Sequence, residues 1–246
     1  MIDRGTRCVV TGGSSGIGAE TAAALGSRGC EVLITGRDRK ALADVARGTG
    51  ARMCVADLTE PDGIATVLAE AGEVDVLVCN AGVGWAGSFA DMPAAAIDRL
   101  VATNLLAPAR LIRGVLPGML ARGSGALGLV SSIAGSMSVA DEAVYSATKA
   151  GVAALGASVR GEVTGKGVTV SVVVPGVVST PFFDRRGTPY RRSRPRPVPA
   201  STVAEALVAA LEHGRPEVFV PRWLRFPARL RGVAPGLTDS LQRRFG

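Results

Sequence analysis

The chain has 246 residues, of which 47% are hydrophobic and 20% are charged, and its formal net charge is +7. This length predicts one domain with a full hydrophobic core. No run of about 18 apolar residues is present to span a membrane, and the start, Met1-Ile2-Asp3-Arg4, lacks the apolar segment of a secretion signal. These features favour a cytoplasmic protein.

The first predicted elements are a strand, a glycine-rich turn and a helix. Residues 7–11 are apolar and β-branched, which is typical of a buried parallel strand, and the pattern from Ile17 to Arg28 predicts a helix. Between them Gly12, Gly16 and Gly18 stand where a dinucleotide-binding turn requires glycine. Gly12 permits the tight turn, Gly16 lets the backbone approach a pyrophosphate, and Gly18 lets the helix pack closely. The helix N-terminus then offers N–H groups to phosphate.

The second predicted strand, Glu31 to Thr35, ends in Gly36-Arg37. An NAD-binding protein usually has an acid there to bind the ribose hydroxyls. Arg37 instead can pair with a 2′-phosphate through a charge-assisted fork. Alternatively, Arg37 only stacks over an adenine, and Asp38 partly offsets its charge. The pattern favours NADP over NAD.

Further strand-like segments alternate with helical stretches along the chain. This alternation predicts an α/β fold with a parallel sheet. The segments are Met53 to Ala56, Val74 to Cys79, Ala126 to Ser131, and Val168 to Val174.

Three polar residues form a candidate catalytic group. Tyr145 and Lys149 are four residues apart, so they lie on one face of a helix. A nearby ammonium favours the phenolate and lowers the tyrosine pKa toward the pH at which acid–base catalysis is effective. Ser132, thirteen positions before Tyr145, can donate its hydroxyl to a substrate oxygen. A solvated Tyr–Lys pair is the alternative.

Together, in this order, the motifs resemble those of the short-chain dehydrogenase/reductase family. The motifs are Thr11-Gly12-x3-Gly16-Ile17-Gly18, Asp57, Asn80-Ala81-Gly82, Asn104, Ser132, Tyr145-x3-Lys149, and Pro175-Gly176-x3-Thr180. The resemblance implies a Rossmann-like, doubly wound domain in which a parallel sheet of about seven strands has helices on both faces. It also implies hydride transfer from the B face of a nicotinamide and assembly into a homodimer or homotetramer.

The resemblance implies a role for each matched residue. Asn104 keeps a water near Lys149, Ser132 orients the carbonyl, Tyr145 exchanges the proton, and Lys149 also grips the nicotinamide ribose. The implied cofactor contacts are Gly12, Ser14, Ser15, Gly16, Ile17, Gly18, Arg37, Asp57, Leu58, Asn80, Ala81, Gly82, Tyr145, Lys149, Pro175, Gly176 and Thr180.

The implied substrate pocket is apolar, which favours an apolar or aromatic ketone over a free sugar. Its expected lining residues are Trp85, Phe89, Met137, Val139, Phe182 and Phe183. A core position for Trp85 and Phe89 stays open. The usual Pro before the catalytic Tyr is absent, and Asp141-Glu142 stand there instead.

Histidine and cysteine usage limits other chemistry. His213 is the only histidine, beside a probable helix end, so neither a zinc site nor a Ser-His-Asp hydrolase is expected. The four cysteines lie in or beside predicted core strands without CxxC spacing. This placement predicts small buried side chains in a reducing compartment.

The positive charge is concentrated in the last quarter of the chain. Residues 182–246 hold 13 Arg and 5 acidic residues. They include an expected mobile substrate lid at 182–199, without helical or strand periodicity, and a basic, partly apolar tail at 221–246. Three interpretations are a solvated surface, an anionic substrate or carrier, and membrane-surface contact. Nucleic acid ranks last, because no binding module accompanies the charge.

The sequence therefore predicts an NADP-dependent reductase or dehydrogenase that acts on a ketone or secondary alcohol, including a carrier-bound one. Two alternatives are an NADP-binding sensor or scaffold without turnover, and a peripheral membrane protein that acts through its tail.

Overall fold

A parallel sheet organises the protein in the computed structural model, which describes residues 2–191, 194–234 and 236. The strands are β1 (Arg7–Thr11), β2 (Glu31–Gly36), β3 (Arg52–Val55), β4 (Val76–Cys79), β5 (Gly125–Val130), β6 (Val168–Pro175), β7 (Val178–Ser179), β8 (Val198–Pro199) and β9 (Glu217–Val220). Seven of them form one sheet in the order β3-β2-β1-β4-β5-β6-β9, with every pair parallel. The remaining two, β7 and β8, form a separate short parallel pair.

Helices connect the strands and cover the sheet. They are α1 (Gly16–Gly26), α2 (Arg39–Thr49), α3 (Pro61–Ala71), α4 (Ala94–Val101), α5 (Ala107–Arg122), α6 (Ile133–Met137), α7 (Ala143–Val163), α8 (Phe182–Arg185), α9 (Ala200–Glu212) and α10 (Arg225–Val233). A π-helical turn, Ala102–Leu106, joins α4 to α5, and 3₁₀ turns cover Phe89–Asp91 and Arg222–Leu224.

Two hydrophobic layers hold the helices on opposite faces of the sheet. On one face α3, α5 and α7 pack against alternate strand residues such as Val9 and Leu127. On the other face α1, α2 and α9 pack against the strand residues that lie between these, such as Val10 and Ala126. The alternation follows from the two-residue period of a strand, and both faces are apolar because both are covered.

The strand order reverses between β1 and β4, which lie side by side at the centre of the sheet. In open α/β sheets, ligands bind at such a switch point, beyond the carboxyl ends of the strands. The glycine turn follows β1, and Asn80 follows β4. The sheet therefore brings two of the predicted motifs to the edge where a ligand site is expected.

The predicted α/β fold with a doubly wound parallel sheet is confirmed. The segment 182–199, whose sequence shows no helical or strand periodicity, nevertheless contains the short elements α8 and β8. The chain enters this segment after β7 and ends it at β8, and Val178 of β7 pairs with Val198 of β8. Of the tail at 221–246, the described part forms a 3₁₀ turn and α10, and most residues after Ala234 lie outside the described part.

Candidate active site

A cavity of about 840 Å³ opens at the carboxyl edge of the sheet. It is lined by nearly all of the residues that the sequence assigned to a cofactor. These lining residues are Gly12, Ser14, Ser15, Gly16, Ile17, Arg37, Asp57, Leu58, Asn80, Ala81, Gly82, Tyr145, Lys149, Pro175, Gly176 and Thr180. Gly18 is not among them, since it lies behind the turn.

The glycine turn is held in a form that side chains would disrupt. Gly12 has φ +66, and a Cβ on it would lie 2.8 Å from the Cα of Ala81. A Cβ on Gly18 would lie 2.2 Å from the Gly12 carbonyl oxygen, so α1 can approach the turn only with glycine there. Asn80 completes the turn, since its Nδ2 donates to the carbonyl oxygen of Thr11 at 2.9 Å.

Arg37 and Asp57 stand together at one end of the cavity. Arg37 Nη1 lies 3.7 Å from Asp57 Oδ2, and both side chains are about half exposed. Burial alone would raise the pKa of Asp57, but hydrogen bonds from the backbone and hydroxyl of Thr59 and the charge of Arg37 lower it below its ordinary value. Asp57, rather than Asp38, is thus the acid beside Arg37. The carboxylate of Asp38 instead caps α2 by accepting from the Ala41 N–H.

Lys149 is buried on α7, with only 5% of its surface exposed. Its Nζ donates to the carbonyl oxygen of Val130 at 2.9 Å, and its own carbonyl oxygen accepts from the Ser131 hydroxyl at 2.7 Å. Burial lowers the pKa of Lys149 to about 8. The lysine is therefore fixed at the end of β5, with its ammonium close to losing its proton near neutral pH.

Tyr145 lies one turn before Lys149 and is also buried. The Lys149 Nζ is 5.9 Å from the centre of the Tyr145 ring. Burial raises the pKa of Tyr145 to about 12, and the Ser132 hydroxyl opposes this rise. The expectation that Lys149 lowers this pKa is not met in this structure, because burial dominates and the ammonium binds Val130. The protonated phenol is consequently the stable form at neutral pH.

Asn104 lies in the π-helical turn before α5 and has only 1% of its surface exposed. Its amide exchanges hydrogen bonds with both backbone groups of Val83, at 2.8 and 2.9 Å, and donates to Thr148 Oγ1 at 3.1 Å. It does not line the cavity. Asn104 thus ties the segment after β4 to α7, and π-helical turns of this kind are frequent at functional sites.

Apolar and aromatic side chains wall the other end of the cavity. Trp85, Met137, Val139, Phe182 and Phe183 all line it, and the family resemblance had placed these residues in a substrate pocket. The Tyr145 and Phe182 rings are 5.4 Å apart.

Phe89 does not meet the expectation of a lining residue. It is 61% exposed and lies away from the cavity. The reason is the turn at Gly87, where φ is +153 and the backbone N–H donates to the Asp141 carbonyl oxygen. After this turn the chain enters the 3₁₀ turn that carries Phe89.

Two arginines of the segment 182–199, the predicted lid, contact the site in a way that the sequence did not predict. Arg186 forms an ion pair with Glu142, and the two side chains are only 8% and 14% exposed. The guanidinium of Arg186 also lies over the Phe183 ring, 4.7 Å from its centre. Arg185 Nη1 donates to Ser15 Oγ at 2.9 Å. The lid segment therefore touches both the glycine turn and the start of α7.

The four cysteines and His213 lie in surroundings that give them a structural role. Cys8, Cys54 and Cys79 are buried and Cys30 is half-buried. The His213 ring nitrogen Nδ1 lies 2.7 Å from the Ala209 carbonyl oxygen, at the C-terminal end of α9. Among the described residues, no His, Cys, Asp or Glu side chains cluster in a way that would hold a metal ion. No helix in that part of the chain is long and apolar enough to cross a membrane.

The sheet order and the glycine turn at its switch point define a Rossmann-type α/β protein. Comparisons with known proteins narrow this class. The family described as short chain dehydrogenase matches residues 6–190, and the chain belongs to this short-chain dehydrogenase/reductase family of oxidoreductases.

Individual relatives cover most of the chain. It is 33% identical to the ketoacyl reductase HetN of Nostoc sp., over 98% of this chain and 90% of that protein. It is 34% identical to the 3-oxoacyl-[acyl-carrier-protein] reductase FabG of Salmonella typhimurium, over 73% of this chain and 76% of that one. A solved dehydrogenase from Sphingobium yanoikuyae, in complex with NADPH, is 28% identical with a TM-score of 0.82, covering 95% of each chain.

Proposed function

We propose that the protein transfers hydride between NADP(H) and a carbonyl or secondary alcohol, and that it works as a ketone reductase on an apolar substrate. The observation that carries this proposal is the placement of Ser132, Tyr145 and Lys149 on one wall of a cavity. The glycine turn lies at one end of that cavity and aromatic side chains lie at the other. Such a lining would suit a polar dinucleotide beside an apolar substrate.

The residues present fit a nicotinamide cofactor, which would supply the hydride when bound. The cradle that glycine keeps open at Gly12 and Gly16 suits a pyrophosphate beside the N-terminus of α1. Pro175 and Gly176, at the end of β6, and Thr180, directly after β7, would hold the nicotinamide amide. Arg37 would pair with the 2′-phosphate of NADP, and its exposed guanidinium supports this choice over NAD.

Tyr145 would give its proton to the substrate oxygen during reduction. Its raised pKa keeps the phenol protonated, as a proton donor must be. Ser132 would donate a hydrogen bond to the same oxygen. Lys149 would bind the ribose and return a proton to Tyr145. Asn104 acts on this group by fixing α7 against the segment after β4.

The substrate would be an apolar ketone, free or attached to an anionic carrier. The aromatic wall formed by Trp85 and Phe182 supports the apolar part of this proposal. Two relatives are named as ketoacyl reductases, one of them for acyl groups on a carrier protein. The lid arginines would steer such a carrier by their charge.

The test is turnover by the purified protein with NADPH and a series of apolar ketones and β-ketoacyl thioesters, with the alcohol identified as product. Replacing Tyr145 with Phe should lower turnover by about 10²–10⁴-fold. The same variant should bind NADPH as the wild type does, since only the hydroxyl is lost. Deuteride from the B face of labelled NADPH should appear in the product.

Two outcomes would contradict the proposal. Equal turnover by wild type and the Tyr145→Phe variant would show that Tyr145 is not the proton donor. If the wild type and the variant both bind NADPH tightly but give no product from any ketone tried, the result would favour a cofactor-binding sensor instead.

A further inference from the structure

Four large apolar side chains are exposed together on the last described 3₁₀ turn and the helix α10 that follows it. Trp223 is 52% exposed, Phe226 is 78%, Leu230 is 42% and Val233 is 86%. Their spacing of three, four and three residues places them along one face of the 3₁₀ turn and α10. We call this face the α10 surface. Among the described residues, half of the large hydrophobic side chains that are exposed to solvent belong to this surface.

Arginines border the α10 surface. Arg222, Arg225 and Arg229 are exposed, and within the described residues none of them forms an ion pair. No acidic residue occurs between Val218 and Thr238. The exposed side of the helix therefore combines aromatic and aliphatic side chains with positive charges, and it carries no negative charge.

The opposite side of this helix is anchored to the body of the protein. Leu224 is buried and lines the cavity, and Ala228 packs against the core. Arg231 donates to the carbonyl oxygen of Met137, another cavity-lining residue. The α10 surface is thus held in place next to the cavity, and its exposure does not come from a helix that has lost contact with the fold.

We propose that the α10 surface docks on a membrane that contains anionic lipid. Helices that lie in a membrane interface combine Trp, Phe and Leu on one face with Lys or Arg alongside. Tryptophan favours the headgroup level, and each arginine near an anionic surface strengthens binding by about fivefold. The surface would not cross the bilayer. It would hold the protein on it, with the cavity nearby.

A second copy of the chain fits this surface less well. In a two-fold symmetric contact the same patch meets itself. The arginines of one α10 surface would then face those of the other without acidic partners. A lipid surface instead offers negative charge next to an apolar layer, which complements both halves of the patch.

One consequence rests on the proposed function. Docking would bring an apolar ketone dissolved in the lipid close to the aromatic end of the cavity. Membrane binding and ketone reduction are measured separately, so failure of one does not hide failure of the other.

The experiment is co-sedimentation of the full chain with vesicles of phosphatidylcholine alone and of phosphatidylcholine with 30% phosphatidylserine. We expect binding to the anionic vesicles only, weakening as salt is raised. The Trp223→Ser/Phe226→Ser variant should bind at least tenfold more weakly. The Arg225→Gln/Arg229→Gln variant should bind about 30-fold more weakly.

Matched controls separate position from composition. Phe89→Ser removes an equally exposed aromatic residue outside α10, and Arg4→Gln/Arg113→Gln removes two exposed arginines elsewhere. Both controls should bind the vesicles as the wild type does. Equal loss in test and control variants would overturn the proposal. Absence of vesicle binding by the wild type would also overturn it. If the Trp223 and Phe226 changes then altered only the oligomeric mass, the α10 surface would be a contact between copies of the chain.

Discussion

Arg186 of the lid forms a buried ion pair with Glu142, three residues before Tyr145. Glu142 stands in the segment where the family usually has a proline before the catalytic tyrosine. Arg186 belongs to a basic block for which the sequence left three interpretations: a solvated surface, contact with an anionic substrate or carrier, and membrane-surface contact. The two charges lie 44 positions apart in the chain. Their pairing connects the lid to the helix that carries the proposed proton donor.

Removing one partner of this pair should destabilise the protein. Arg186→Met leaves a carboxylate buried without its partner, which typically costs about 3–5 kcal/mol. The double variant Glu142→Gln/Arg186→Met should recover much of that loss, because neither charge is then left alone. Urea denaturation of the wild type, both single variants and the double variant measures the coupling. Additive losses would mean that the pair contributes little to folding.

Lys149 should make stability depend on pH in the alkaline range. Its pKa is about 8 in the folded protein and 10.5 ordinarily. Between these values the unfolded chain holds a proton that the folded one has released, so the free energy of unfolding rises with pH. Below pH 8, Lys149 is protonated in both the folded and the unfolded chain, so the folded protein bears the full cost of burying the ammonium.

The Lys149→Met variant tests this dependence. Its stability relative to wild type should be greatest near pH 7 and should fall by about 3 kcal/mol as pH rises to 10.5. Loss of the Val130 hydrogen bond affects the comparison equally at each pH. Lys166→Met, which changes an exposed lysine, serves as the control. A constant difference across the window would show that Lys149 is not desolvated as the structure indicates.

Arg37 should select NADPH. Arg37→Leu removes the proposed partner of the 2′-phosphate, and a charge-assisted hydrogen bond contributes about 1.5–3 kcal/mol. NADPH should therefore bind roughly 10- to 100-fold more weakly, with NADH almost unaffected. Titration of cofactor fluorescence measures both constants. Arg39→Leu, at an exposed position two residues on, should leave both unchanged, and an equal effect of the two substitutions would refute selection by Arg37.

The small residues on α7 should form an interface between copies. Ala147, Ala150, Ala154 and Ala157 are exposed, and their spacing places them on one face. Gly151 and Gly156 on the same helix make room within the chain instead, since a Cβ there would approach Leu105 and Val172. We expect a dimer at micromolar concentration.

The Ala150→Glu/Ala154→Glu variant should sediment as a monomer, because four carboxylates would meet across a two-fold axis. Ala65→Glu/Ala69→Glu places the same charges at the same spacing on exposed positions of α3. That control should keep the wild-type mass. Dimers in both variants would place the interface elsewhere.

The lid arginines should matter only for anionic substrates. Arg191→Gln/Arg194→Gln should raise KM for a ketone carried on phosphopantetheine and leave KM for a neutral ketone unchanged. The difference should vanish at high salt, since the screening length falls to about 3 Å at 1 M. Arg192, part of the same predicted group, lies outside the described residues. Unchanged KM at low salt would leave these arginines as solvated surface.

Sequence patterns predicted the parts of the fold and of the site that depend on residues close to one another in the chain. Buried parallel strands are near-continuous apolar runs, so β1 and β6 were visible directly, and the i, i+4 spacing placed Tyr145 beside Lys149. The glycines could be assigned because their positions between a strand and a helix have few alternatives. The family resemblance added Asn104 and Asp57, which no spacing rule would have chosen.

Contacts between distant segments were not predictable in this way. Nothing local to Arg186 identifies Glu142, and nothing local to Lys149 shows that its Nζ binds the Val130 carbonyl rather than acting on Tyr145. The Phe89 expectation was wrong because Gly87 turns the chain, and a positive φ is not visible in an isolated glycine. Runs of arginine suggested a single charged lid, whereas tertiary packing buried one of them and left others exposed.

The pairing of Val178 with Val198 closes the neck of the segment that contributes Phe182 and Phe183 to the cavity lining. A loop closed at its neck can change length at small cost, since doubling its length adds only about 0.6 kcal/mol of closure entropy. Insertions or exchanges between these two valines would change the lining that Phe182 and Phe183 contribute to the cavity, while α7, which carries Tyr145 and Lys149, stays as it is. Under the proposed function, the aromatic wall for the substrate could therefore vary in this segment without a change in the helix that carries the proposed proton donor.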